Sequence, residues 1–221
     1  MTADEKQSYR VGGLAALVLG IGYIVIFPLY AHVGAPPKGG EAWFQYLPGK
    51  TMVWWTILWI SVFTDLLFVP VVFGLYRALK GISRNAMLLA SACVWLFVVL
   101  DLAITWSHYA SILTLYQNYS TASNDIQRAA YVAAADYASA MLTSPLEIVY
   151  AIVILSFGIL VTGWVMRKSQ FPKITAYVGL ATGILGILSL TGVTLAIIGN
   201  ALFATAWLFL VSHGLYRLSR S

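Results

Sequence analysis

Residues 52–79 read MVWWTILWISVFTDLLFVPVVFGLYRAL, an apolar run whose only charged side chains are Asp65 and Arg77. At about 1.5 Å per residue, a helix over this run exceeds the roughly 30 Å of a bilayer's hydrocarbon core. It is expected to cross a membrane, with a tilt or a kink at Pro70. A carboxylate at the centre of such a helix costs roughly 2.5–3.5 kcal/mol on insertion scales. Asp65 therefore calls for compensation from inside a helix bundle.

Five further runs of the same kind flank it. With Met52–Leu79, the expected spans are Val11–Val33, Ala86–Ser111, Pro145–Met166, Ile174–Thr191 and Val193–Tyr216. Thr191-Gly192 is the only punctuation between the last two, so a tight turn is expected there. Hydrophobic residues make up 60% of the chain and charged residues only 10%, against about 25% charged in soluble domains; mean hydropathy is +0.82. The expected fold is all-α, a polytopic membrane protein built as one bundle of six transmembrane helices over residues 1–221. The first run is longer than the core of a secretion signal and follows Asp4 and Glu5, so it is read as a retained helix.

Charge by side sets the orientation. Of the 13 Lys and Arg residues, only Lys38, Lys50 and Arg128 fall opposite the termini in a six-span topology. The positive-inside rule then puts both termini in the cytoplasm and the bundle in the plasma membrane. Merging the last two spans would move Arg217 and Arg220 to the other side and weaken the asymmetry. Contact with anionic lipid headgroups accounts for the net charge of +5, and no nucleic acid is implied.

Two more acids break the apolar pattern: Asp101 in the third span and Glu147 in the first turn of the fourth. Asp65 lies near mid-membrane, with Ser61 one turn before it. Asp101 lies in the outer half, and Thr105 and His108 follow at spacings of four and seven, one stripe of a regular helix. Asn200 and His32 fall in the same slab. Each acid has a structural reading and a functional one. Asp65 is either protonated or hydrogen-bonded within the bundle, or a ligand or proton site. Asp101 with His108 is a candidate proton or metal pair, and Glu147 reads as a solvated or helix-capping residue. His32 and His213 read as interface residues at opposite helix ends.

Specific cofactor signals are missing. The lone Cys93 excludes an intrachain disulfide and a thiolate metal motif. There is no H-E-x-x-H, no phosphate loop and no nucleophile elbow. A haem held by His32 and His108, or a three-histidine zinc centre, is poorly served by three histidines on three helices, one of them at the cytoplasmic end. Cofactor and metal content thus stay open. Gly179, Gly183 and Gly186 form a small-xxx-small stripe in the fifth span, read as helix packing.

The stretch FGILVTGWVMRKSQFPKITAYVGLATGILG, residues 157–186, and GLYRALKGISRNAMLLA, residues 74–90, resemble a family of bacterial and archaeal membrane proteins known as a domain of unknown function. The resemblance extends over most of the chain through loose motifs. It implies six helices and no particular chemistry.

Three functions are compatible with these residues. The first is binding or transport of a small cationic or amphipathic ligand in an outer-half pocket lined by Asp65, Asp101, Thr105, His108, Glu147 and Asn200, with Trp55, Trp59 and Trp106 as walls. The second is a membrane-embedded enzyme, metal-dependent or not, using Asp101 and His108. The third is an accessory subunit whose acids hydrogen-bond across helices. No internal repeat of the transporter kind is evident. Expected partners are membrane lipids and, from the small-residue spans, a second copy of the chain or other membrane subunits.

Overall fold

The computed structural model describes residues 2–220. Ten α-helices follow in order: α1 (Ala3–Val33), α2 (Gly40–Tyr46), α3 (Thr51–Leu79), α4 (Arg84–Leu100), α5 (Ser107–Ser120), α6 (Asp125–Leu142), α7 (Pro145–Ile148), α8 (Ile154–Met166), α9 (Lys173–Leu188) and α10 (Thr194–Arg220). Two π-helical segments, Asp101–Trp106 and Val149–Val153, join α4 to α5 and α7 to α8 without a break. The described residues contain no β-strand.

Six helices are long and apolar enough to cross a membrane: Ala3–Val33, Thr51–Leu79, Arg84–Ser120, Pro145–Met166, Lys173–Thr191 and Thr194–Arg220. Each span packs on its neighbours in sequence, and the sixth closes against the first. Short connections make consecutive helices antiparallel neighbours, and six of them form a ring around an interior. Large apolar side chains such as Val11, Ile21, Phe63 and Val99 point outward and are exposed. That surface suits lipid, which offers nothing to a backbone polar group and everything to a hydrocarbon face.

Local chemistry sets the span ends. The first helix starts eight residues before its apolar run. Thr2 Oγ1 accepts from Glu5 N at 3.3 Å while Thr2 N donates to Glu5 Oε2 at 3.0 Å, a reciprocal cap that satisfies two otherwise orphaned donors. Pro70 leaves α3 unbroken from Thr51 to Leu79. A 3₁₀ turn at Ser189–Thr191 leads to Gly192 at φ 72°, a left-handed residue that costs glycine nothing. The fifth and sixth spans meet there, as expected. The glycine stripe of the fifth span brings α9 against α8: a Cβ on Gly183 would lie 2.4 Å from Leu160 Cβ and 2.8 Å from the Ser156 carbonyl oxygen.

The end of the bundle opposite the termini (the outer end in the expected orientation) is a second layer rather than a set of loops. The third span continues past Ser111 to Ser120, and α6 folds back along α5. Asn124 caps α6 by accepting from Gln127 N at 2.9 Å. Asp125–Leu142 therefore lies along this end of the bundle, packed on α5 and α2, and does not run on into the fourth span. Ser144 and Pro145 start a new helix, with Ser144 Oγ accepting from Leu146 N at 3.3 Å. The short α2 docks on α6: Gly40 N donates to Asp136 Oδ1 at 2.5 Å and Gly39 N to Ser139 Oγ at 2.8 Å. Trp43, Phe44, Leu47, Trp54, Ile112 and Leu113 form the apolar core of this layer.

Candidate functional site

The α3 stripe Ser61, Thr64, Asp65 and Phe68 turns into the ring, and Asp65 is only 4% exposed. Opposite it, the third span leaves α-helical geometry at Asp101. On a regular helix, residues five apart differ by roughly 140°. In the π segment they come together, and the Trp106 indole reaches back to Asp101. Trp106 Nε1 donates to Asp65 Oδ2 at 2.8 Å and to Asp101 Oδ2 at 3.1 Å. One N–H thus serves carboxyl groups from two spans. Asp101 Oδ1 and Thr105 Oγ1 are buried without a hydrogen-bond partner.

These groups border a cavity of about 280 Å³ inside the ring. Five of the six spans contribute to its wall, the fifth being absent. Asp65, Asp101 and Glu147 all face it, and its wall contains no Lys, Arg or His. The second π segment supplies Ala151 and Ile152 beside Glu147, and the two π segments touch each other. Tyr23, Tyr30, Trp106 and Tyr109 form an aromatic wall. Toward the outer layer it is backed by Trp54, stacked on Tyr109 with ring centroids 5.1 Å apart, and edge-on to Tyr30 at 5.9 Å. Trp54 Nε1 donates to the Tyr46 hydroxyl at 3.2 Å, which donates to the Val33 carbonyl at 2.8 Å. Burial pushes the Tyr46 phenol above its ordinary value, and the Trp54 N–H partly opposes this. The first span, α2 and α3 are tied together at that point.

Of the expected site residues, Asp65, Asp101, Thr105, Trp106, Glu147 and Asn200 share the one cavity. Glu147 faces it rather than capping a helix, since Ser144 already caps that start. Asn200 has a structural partner set as well: its Nδ2 donates to Ser156 Oγ at 3.0 Å and to the Thr182 carbonyl at 2.8 Å, linking the sixth span to the fourth and fifth.

Three expectations need correction. His108 does not border the cavity. The extra residue of the π turn rotates everything after it by roughly 100°, so the Asp101–Thr105–His108 stripe is broken. His108 Nδ1 lies 2.5 Å from the Ile104 carbonyl oxygen, and its ring faces Tyr137 in an outer groove. Trp59 is 64% exposed on the outward face. Trp55 is half-buried against the outer core, away from the cavity. Both tryptophans sit one position off the buried stripe that runs through Trp54, Leu58, Ser61 and Asp65. His32 is exposed. Among the described residues, no three His, Cys, Asp or Glu side chains converge as a metal site.

The tyrosines of the wall escaped the sequence reading. Tyr23, Phe27 and Tyr30 recur at spacings of four and seven in the first span, a polar aromatic stripe within an apolar helix, and that was the available signal.

The chain matches no family model, no curated protein and no solved structure.

Proposed function

We propose that the ring binds or transports a small organic cation with an apolar or aromatic portion, held between Asp65, Asp101 and Glu147 and the tyrosine wall. The observation that carries this reading is the coincidence of three carboxyl groups and six aromatic side chains in one cavity without a basic residue. In a low-dielectric interior, neighbouring carboxylates repel strongly. The cluster is relieved by protons or by a cation, and only a cation also uses the aromatic faces. A volume near 280 Å³ is about twice that of a cavity known to accept benzene, so the ligand is a single ring with a short charged arm, or its aliphatic equivalent.

The same reading places the chain in the plasma membrane with both termini in the cytoplasm, from the distribution of Lys and Arg. Lipid covers the outward apolar face. An acid–base or metal reading built on Asp101 and His108 has no supporting geometry, because the two residues face different cavities.

Thermal unfolding of detergent-purified protein with phenethylamine, and with the neutral propylbenzene of similar shape, tests the proposal. Stabilisation by the amine, lost in Asp65→Asn and Asp101→Asn, is expected. Equal stabilisation by propylbenzene would show an apolar site to which the acids are irrelevant.

A further inference from the structure

We infer that the cavity selects an ammonium group that still carries N–H bonds, a protonated primary or secondary amine, over a fully substituted ammonium of equal charge. The inference rests on the reading of the cavity as a cation site and adds the chemistry of the headgroup.

The reason lies in which oxygens are already used. The Oδ2 atoms of Asp65 and Asp101 converge on the Trp106 N–H. Asp101 Oδ1 and Thr105 Oγ1, on side chains that are each only 4% exposed, have no partner. Among the described residues only Thr105 and Thr175 are buried threonines in this state, and Thr175 lies in the first turn of α9, where its own helix offers no carbonyl four residues back. Thr56, Thr114, Thr162, Thr182 and Thr205 each donate to the carbonyl four residues earlier, the ordinary outlet for a threonine inside an apolar helix. Thr105 sits within the π segment and makes no such bond. The distortion that brings Trp106 to the acids leaves a carboxylate oxygen and a hydroxyl, four residues apart, facing the same cavity.

A buried carboxylate oxygen and a buried hydroxyl, neither in hydrogen-bond geometry, define what completes the site: even with the Thr105 hydroxyl, itself a donor, turned toward Asp101, lone pairs on both oxygens stay open to an N–H. An ammonium with N–H bonds satisfies both, whereas a trimethylammonium supplies the charge and the aromatic contact but no donor. The aromatic wall and the three acids attract either one, so charge alone does not separate them. Discrimination comes from hydrogen bonds to Asp101 Oδ1 and Thr105 Oγ1, and leaving two such groups unmet lowers affinity by about tenfold or more. Free amines and the ethanolamine headgroup of a phospholipid share this chemistry.

Calorimetric titration of the full chain in detergent with phenethylamine and its mono-, di- and trimethylated forms reads the selectivity directly. The expected result is a fall of about tenfold or more on the last methylation, which removes the final N–H. Thr105→Val is expected to shrink that step and Thr105→Ser to keep it, with thermal unfolding confirming that both variants fold. A smooth series without a step, a preference for the quaternary form, or an unchanged step in Thr105→Val overturns the inference while the cation reading stands. If no member of the series binds, the cation reading itself fails. Repeating the titration in phosphatidylcholine nanodiscs with and without phosphatidylethanolamine separates the sources: loss of amine binding only in the discs that contain phosphatidylethanolamine assigns the site to the headgroup, and its retention there assigns the site to a free amine.

Discussion

Trp106 donates its indole N–H across the bundle to Asp65, 2.8 Å from Nε1 to Oδ2, and the same N–H lies 3.1 Å from Asp101 Oδ2. A tryptophan five residues beyond an aspartate can close this triangle only because the helix between them is a π turn. The shared donor holds two acids together inside an apolar ring, and the cavity chemistry follows from it.

Removing the donor should therefore cost more than removing aromatic area elsewhere. Trp106→Phe leaves two buried carboxyl groups without their N–H, a loss of about 1–3 kcal/mol or more. In a double-mutant cycle with Asp65→Asn, measured by thermal or denaturant unfolding in detergent, the two effects are expected to be non-additive. Strict additivity would mean that the bond does not bear on stability.

His108 offers the contrasting case. It faces the outer groove beside Tyr137, so His108→Ala should leave amine binding within about twofold of the parent chain, whereas Asp101→Asn should abolish it. Equal losses in both variants, by calorimetry, would return His108 to the site.

The outer layer hangs on the contact of α2 with α6. A Cβ at Gly40 would lie 2.3 Å from the Val132 carbonyl oxygen and 2.7 Å from Asp136 N, and backbone atoms of a helix cannot yield. Gly40→Ala is expected to cost about 1–3 kcal/mol. The cost should appear first as faster hydrogen exchange and proteolysis between residues 35 and 50, with the spans still protected.

Alkaline pH should loosen the same layer through Tyr46. Its phenol is held above the ordinary value of 10.0 by burial, so the folded state keeps the proton longer than the unfolded one. The sign follows: this stabilisation is complete below pH 10.0 and is lost as pH rises through the raised folded value. Trp54 donates to that hydroxyl, so tryptophan fluorescence reports the change. In Tyr46→Phe the alkaline change should flatten relative to the parent.

Orientation is open to direct labelling. In a Cys93→Ser background, a cysteine at exposed Ser123 should react with a membrane-impermeant maleimide added to whole cells. One at exposed Gly81 should react only after the membrane is opened. The reverse pattern would invert the topology.

Hydropathy made the six spans legible in the sequence, because a helix in lipid must be apolar over its whole length and that signal is local. The misplaced residues fall where local periodicity misleads. Trp55 and Trp59 look like pocket walls, yet only the neighbouring helices decide which face of an all-apolar helix turns inward, and they bury Trp54 instead. Asn124 caps the start of α6 through a local bond to Gln127 N, but where that helix lies depends on Asp136 and Ser139 meeting Gly40 and Gly39.

From the sequence alone come the membrane class, the number of spans, the glycine stripe of the fifth span, and the acids that an apolar bundle must accommodate. Each of these is a property of single segments and their transfer into lipid. Tertiary structure alone decided that Asp65, Asp101 and Glu147 share one cavity, that Trp106 binds two of them, and that His108 leaves the group. The physical reason is one inserted residue: a π turn has no clear mark in composition, is held by packing and by the bond it allows, and rotates every later side chain of its helix away from the stripe that a 3.6-residue period predicts.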